Sequence, residues 1–377
     1  MLVVFACVRP THEQVIAWRR HLHRHPEVSF HEHETSAFVA QTLGELGVEV
    51  SRPTETSVLG RLAGTEPGPV VALRADIDAL PITEESGVEF APERPGAMHA
   101  CGHDGHTAML LGAAATLAAE GVPRGEVRFI FQHGEELAPG GARELIAAGV
   151  MEGVDFVYGC HLWTPLEYGK VAAVPGDWMA AADFFELRVT GRGGHAGLPH
   201  TAVDTVACAA ELVGALQHIV SRRLDPLAAA VVTVGSFHAG DAPNVIPGEA
   251  VLRGTARSFD PDVRALIPKL IEEIGHGVCA AHRADFELDF VYGYAPVVND
   301  AAAVELVRSV AAEELADLAP IMGGDDFSAY LAEAPGCYAF IGAGGAFPHH
   351  HPRFVIDERA LAIGTRMHVD VARKVLG

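Results

Sequence analysis

The chain has 377 residues, 49% of them hydrophobic and 20% charged, with a formal net charge of −22. That length exceeds one ordinary core and points to two domains or a domain carrying an insert, and the composition is that of a soluble globular protein, not a disordered one. The acidic balance argues against nucleic acid or an anionic membrane surface as partner, although bound metal ions can still make a local site cationic.

In chain order, residues 2–8 are apolar, but the run is short and no basic segment precedes it, so it reads as an N-terminus without a signal peptide. Residues 11–25 and 33–47 read as helices, the second ending at Gly47, and residues 58–63 and 70–75 as strands. A helix is expected over 104–120, closed by Gly121 and Pro123, then strands over 127–132 and 154–160 around a helical stretch near 140–149. This alternation predicts an α/β domain with a mostly parallel central sheet flanked by helices. The order then changes: strand 183–190, helix 202–222, strands 228–237 and 248–258, helix 260–282 and strand 284–292. That is the β-α-β-β-α-β pattern of a ferredoxin-like unit, expected as an inserted domain over 183–292 within a discontinuous domain made of 1–182 and 293–377. No apolar run approaches the roughly 18 residues of a membrane span.

The most informative stretch is Met98–His106, which packs Cys101, three histidines and Asp104 into nine residues before an alanine-rich segment. Cys101 and His103, two apart around Gly102, suit a borderline-soft divalent ion, while a polar helix-capping loop is the plainer alternative. The six cysteines, at 7, 101, 160, 208, 279 and 337, include no C-x-x-C pair, which fits a reducing cytoplasm and a free Cys101 thiol. Three predicted strands run into further ligand types at their C-terminal ends: Asp76 and Asp78; His133, Glu135 and Glu136; and His161. In open α/β sheets this edge is where sites form. Adjacent Glu135 and Glu136 can give one carboxylate to a metal and aim the other at water. Asp76 and Asp78 also suit a turn, His161 a structural role, and His349-His350-His351 a surface loop. The glycine-rich run Gly191–Pro199 lacks P-loop spacing and reads better as a mobile loop presenting His195 and Arg192.

These motifs together resemble the M20 metallopeptidases, most closely their amidohydrolase branch of hippurate hydrolases, N-acyl-amino-acid deacylases and auxin-conjugate hydrolases. The resemblance rests on HRHPEVSFHEHET (23–35), RADIDALPI (74–82), MHACGHDGHTA (98–108), FQHGEE (131–136), GGHAGLPH (193–200), NVIP (244–247), LRGTARSF (252–259), DDFSAYL (325–331) and HHPRF (350–354), and spans nearly the whole chain. It implies a catalytic domain holding two divalent ions per subunit (Mn²⁺, Zn²⁺, Ni²⁺ or Co²⁺), interrupted by a lid and dimerisation domain. Cys101, His103, Glu136, His161 and His350 match the family's ligands, Glu135 its general base, and Asp78 a carboxylate behind the ligands. His195 matches a lid histidine stabilising the oxyanion, in its own or a neighbouring subunit's site, and Asn244 and Arg257 match substrate-binding positions. The implied activity is metal-dependent hydrolysis of the amide bond of an N-acyl amino acid or similar conjugate by a metal-activated water. The alternatives are a dipeptidase of the same family and, more remotely, a non-catalytic metal- or ligand-binding protein. A cytoplasmic homodimer or higher homo-oligomer with a small-molecule substrate, and with no nucleic-acid or membrane partner, is the matching expectation. The chain departs from the family pattern at His133-Gly134, which replaces Pro and a small residue, at GGDDF, which replaces GSEDF, and in a short 305–322 stretch that bears on the pocket rim.

Overall fold

A computed structural model of the chain describes residues 9–377, so the apolar run at 2–8 and Cys7 lie outside the described residues. The chain opens with α1 (His12–Arg24), capped by the Thr11 side chain, and α2 (His33–Glu45). β1 (Glu49–Ser51), β2 (Val58–Ala63) and β3 (Glu66–Asp76) follow. Next come α3 (His103–Glu120), β4 (Arg124–Gln132), α4 (Ala142–Ala147), β5 (Phe156–Trp163), β6 (Val171–Ala172) and β7 (Gly176–Met179). The middle of the chain holds β8 (Ala181–Thr190), β9 (Gly194–His195), α5 (Thr205–Leu216), β10 (Ala230–His238), β11 (Val245–Ile246), β12 (Glu249–Ser258), α6 (Pro261–His282) and β13 (Asp285–Tyr294). It closes with β14 (Val297–Asn299), α7 (Ala301–Ala311), α8 (Ser328–Leu331), β15 (Gly336–Gly342) and α9 (Ala360–Leu376).

Two compact units result. The first comprises the chain up to Trp178 together with Val297–Ala319 and Asp326–Gly377. Its seven-stranded sheet has the order β1-β2-β4-β3-β5-β15-β6. β4, β3, β5 and β15 run parallel, and β1, β2 and β6 are antiparallel additions at the two sides. The sheet is thus mixed and mostly parallel, the α/β architecture expected from the alternating elements. The parallel strands are buried along most of their length, which is why they read as continuous apolar runs. α3 is buried almost all round, so its alanines serve close packing and its apolar residues show no single stripe.

The second unit comprises Met179–Pro296 and Pro320–Asp325. Its antiparallel sheet has the order β10-β12-β8-β13, with α5 and α6 supplying the two crossovers of a ferredoxin-like βαββαβ. Phe185, Leu187 and Val189 alternate inward from β8 and share a core with Leu212 and Leu216 of α5 and Ile267, Leu270 and Ile271 of α6. Asp204 and Asp260 cap the two helices through their carboxylates. The helix expected over 202–222 is shorter: α5 ends at Leu216 and a separate π turn occupies Ile219–Arg223. Among the described residues no helix is long and apolar enough to cross a membrane.

Candidate metal centre

Because β4, β3 and β5 are adjacent and parallel, their C-terminal ends meet on one edge of the first unit's sheet. β3 delivers Asp76 and then Asp78, β4 delivers His133–Glu136, and β5 carries His161 two residues before its end. The N-terminus of α3 brings Cys101 and His103 to the same place. Gly102 makes this turn with φ of +97°, a conformation an L side chain resists.

Three overlapping sets of donor atoms lie within 4.8 Å of one another: Cys101, His103 and His161; Cys101, Glu136 and His350; and His103, Glu135 and Glu136. Cys101 Sγ is 3.4 Å from His161 Nε2, and His350 Nε2 is 3.4 Å from Glu136 Oε1. His103 Nε2 stands 3.9 Å from Glu136 Oε1 and 4.0 Å from Glu135 Oε2. His103 Nε2 and Glu136 Oε1 are both buried without a hydrogen-bond partner. Two unmatched buried polar atoms of this kind, beside a thiol and further imidazoles, fit a site in which a cation takes the place of the proton on His103 Nε2.

The ring nitrogens turned away from this cluster are tied down. His103 Nδ1–H donates to the main-chain oxygen and Oδ1 of Asp78, at 3.0 and 3.2 Å. His161 Nδ1–H donates to the Leu162 oxygen at 2.8 Å. Both rings therefore present Nε2 toward Cys101 and Glu136, the tautomer a metal requires. His106 sits nearby, but Nδ1–H donates to Asp76 Oδ1 at 2.6 Å and Nε2 accepts the Leu162 N–H at 2.8 Å, which leaves no lone pair for an ion. The Asp76–His103–His106 grouping is therefore an anchoring network, reinforced by Arg74 Nη1–H donating to Asp76 at 2.6 Å.

The local charge is strongly negative. Burial favours a neutral His103, yet Asp76, Asp78 and Glu136 outweigh it and push the ring up to about 10. Burial also works against ionising Asp76, but His103, His106 and Arg74 hold its carboxyl well below the usual range. The Cys101 thiol is pushed up by burial and then by Glu136, Glu135 and Asp76, so a cation is what would make it a thiolate. Burial, with His106 and His349, keeps His161 neutral, as a ligand must be.

The three consecutive histidines separate cleanly. His349 stacks on Trp163 at 4.5 Å and donates from Nε2 to the Leu162 oxygen at 2.9 Å. His351 stacks on Phe347 at 4.5 Å and accepts the Arg353 N–H. His350, at φ of +64°, is the member of the run that reaches Glu136. His133 spends its ring on Glu144 and Thr54. Asp104 does not cap α3 but binds Arg19 at 2.7 Å and His23 at 2.8 Å, while His99 is buried with neither ring nitrogen bonded. Asp326, which the GGDDF run shares with the family pattern, pairs with Arg74 at 2.8 Å and accepts from Gln132.

His195, Asn244 and Arg257 lie in the second unit. His195, exposed on β9, accepts the Gly197 N–H at Nδ1, which puts its proton on Nε2. The main-chain oxygen of Asn244 accepts the Ala196 N–H, and Arg257, whose guanidinium pKa burial lowers, keeps Nη1 without a partner. Sequence reasoning assigned no role to Ser29, Glu32 or the Leu162 peptide. Ser29 and Glu32 sit in an irregular turn with no periodic signal, and a main-chain group leaves no trace in the sequence.

The model of Peptidase family M20/M25/M40 matches residues 72–374. The chain is 56% identical over 287 residues to the N-acyl-L-amino acid amidohydrolase of Geobacillus stearothermophilus, covering 76% of this chain and 78% of that one. It is 41% identical over 370 residues to the N-acetyl-L-cysteine deacetylase of Bacillus subtilis, covering 97% and 88%. The crystal structure of the Bacillus subtilis YXEP protein, a dinuclear metal-binding peptidase from the M20 family, superposes with a TM-score of 0.83 at 35% identity, covering 97% and 98%. With a family match across most of the chain and relatives of this identity, the chain belongs to Peptidase family M20/M25/M40.

Proposed function

We propose that this chain hydrolyses the amide bond of an N-acyl amino acid or a similar conjugate in a metal-dependent reaction, with Glu135 as general base. The observation that carries this reading is the placing of Glu135 and Glu136 side by side, 4.0 and 3.9 Å from the unpartnered His103 Nε2. Relatives named amidohydrolase and deacetylase support the substrate class.

Cys101, His103, Glu136, His161 and His350 would hold two divalent ions, with Cys101 common to two of the donor sets. When bound, Mn²⁺, Zn²⁺, Ni²⁺ or Co²⁺ would polarise the scissile carbonyl and acidify water. Glu135 takes the proton from the attacking water and passes it to the leaving amine. Asp78 holds the His103 ring and accepts the Glu136 N–H at 2.9 Å, so one carboxylate orients a ligand from each side. We assign His195 Nε2–H to the oxyanion, a donor often worth about 3–4 kcal/mol, and Asn244 and Arg257 to the substrate carboxylate. The second unit carries most of the exposed large apolar side chains among the described residues, including Val291 and Tyr292, which supports a dimerisation face on the lid; we place the enzyme in the cytoplasm.

Glu135→Gln tests the central assignment. It is expected to keep its metal, measured by elemental analysis, and to lose at least about 100-fold in kcat on N-acetyl amino acids. Turnover near that of the parent with metal bound would remove Glu135 as base. Faster cleavage of the matching dipeptides than of the N-acetyl compounds would move the substrate class to dipeptides.

A further inference from the structure

We infer that Glu32 is a positioning residue for the general base: it pins the amide that precedes Glu135 and so sets the direction of that carboxylate. The inference rests on the reading of Glu135 as base.

Glu32 immediately precedes α2, where an acidic side chain ordinarily folds back onto the first free N–H groups of its own helix. It makes no such bond. Glu27 does the capping in its stead, accepting the Glu34 and Thr35 N–H groups at 3.1 and 2.7 Å. Glu32 turns inward, fully buried, and Oε1 accepts two main-chain N–H groups, from Phe30 at 2.9 Å and from Gly134 at 2.8 Å. Burying a carboxylate is costly, and an exposed cap would have avoided that cost.

The residues around this bond are shaped to it. Phe30 has φ of +65°, an unfavourable conformation for an aromatic residue, and its N–H is one of the two that Glu32 holds. Gly134 also has φ of +65°, and a Cβ there would lie 2.8 Å from the Phe30 ring. The same turn supplies Ser29, whose hydroxyl donates to Asp78 Oδ2 at 2.7 Å, and that oxygen also accepts the Glu136 N–H. Glu135 is therefore bracketed by two pinned amides, Gly134 on Glu32 and Glu136 on Asp78. The second pin orients a proposed metal ligand, and the first acts on the residue beside it. Misplacing a reacting group by about 1 Å can cost about 100-fold in rate.

The test compares Glu32→Ala, Glu32→Gln, Glu135→Gln and the Glu32→Ala/Glu135→Gln double variant, each loaded with Mn²⁺ and assayed on N-acetyl-L-methionine. Glu32→Ala is expected to lose about 10–100-fold in kcat, with KM and metal content close to those of the parent. Glu32→Gln keeps an acceptor oxygen for the Gly134 N–H and is expected to recover most of that loss. The double variant is expected to be no slower than Glu135→Gln, because Glu32 acts through Glu135. A Glu32→Ala protein with lowered Tm but unchanged kcat would overturn the inference and leave Glu32 a structural residue. So would a double variant slower than Glu135→Gln by the full Glu32→Ala factor. An active Glu135→Gln enzyme would overturn the reading beneath it, and the two failures are thus told apart.

Discussion

Asp78→Asn changes one atom and should weaken metal binding by a predictable amount. Asp78 faces three donors: the Ser29 hydroxyl at 2.7 Å, the Glu136 N–H at 2.9 Å and His103 Nδ1–H at 3.2 Å. An aspartate satisfies all three with acceptor oxygens, but an asparagine must turn its NH₂ toward one side. Facing Oδ1's place, that NH₂ opposes His103 Nδ1–H; facing Oδ2's place, it opposes the Glu136 N–H, since only the Ser29 hydroxyl can rotate to accept. One hydrogen bond to a charged group is lost either way, about 1.5–3 kcal/mol, and it orients a ligand in both cases. That corresponds to a loss of about 10–100-fold in metal affinity. Competition with a chromophoric chelator measures the affinity, and thermal unfolding of the metal-free proteins checks that the fold is intact. A variant binding metal within threefold of the parent, with unchanged Tm, would refute the argument that Asp78 orients His103 and Glu136.

The three consecutive histidines should behave differently. His350→Ala is expected to lower metal affinity by about 10-fold or more with little change in Tm, whereas His349→Ala, which loses the Trp163 stack and the Leu162 bond, should lower stability by about 1–2 kcal/mol; chelator competition and chemical denaturation read the two effects. Acid stability should depend on His368, which burial and then His106 push down from 6.5 to about 3. Its folded form stays neutral while the unfolded chain binds the proton, so its contribution is present above pH 6.5 and is lost as pH falls toward 3. The loss between pH 7 and pH 5 is about 2 kcal/mol, and His368→Asn should flatten the urea-denaturation profile over that interval.

The alternation of apolar runs with helical segments sufficed for the α/β class, because parallel strands buried on both faces leave continuous hydrophobic stretches. The β-α-β-β-α-β order was legible for the same kind of reason: β8 alternates buried and open positions, and α5 and α6 carry a helical pattern. The short strands β1, β6, β9, β11 and β14 were not foreseen, since two or three residues carry no period. The ligand types at the strand ends could be read from the sequence, and the parallel order β4-β3-β5 explains why they converge.

What the sequence determined by itself is the inventory: which residues can bind a divalent ion, which can move a proton, and which elements carry them. Only the tertiary structure distinguished residues of the same chemistry. Of the imidazoles gathered near the centre, His106 has both nitrogens engaged by Asp76 and Leu162, and His349 is held by Leu162 and Trp163. His103 retains a buried Nε2 without a partner. Glu32 likewise carries no signal of its own in the sequence and is a buried acceptor for Gly134 in the fold. The reason is that a side chain's chemistry belongs to its residue type, while its spare hydrogen-bonding capacity is set by neighbours distant in sequence. Glu32 and Gly134 are 102 residues apart.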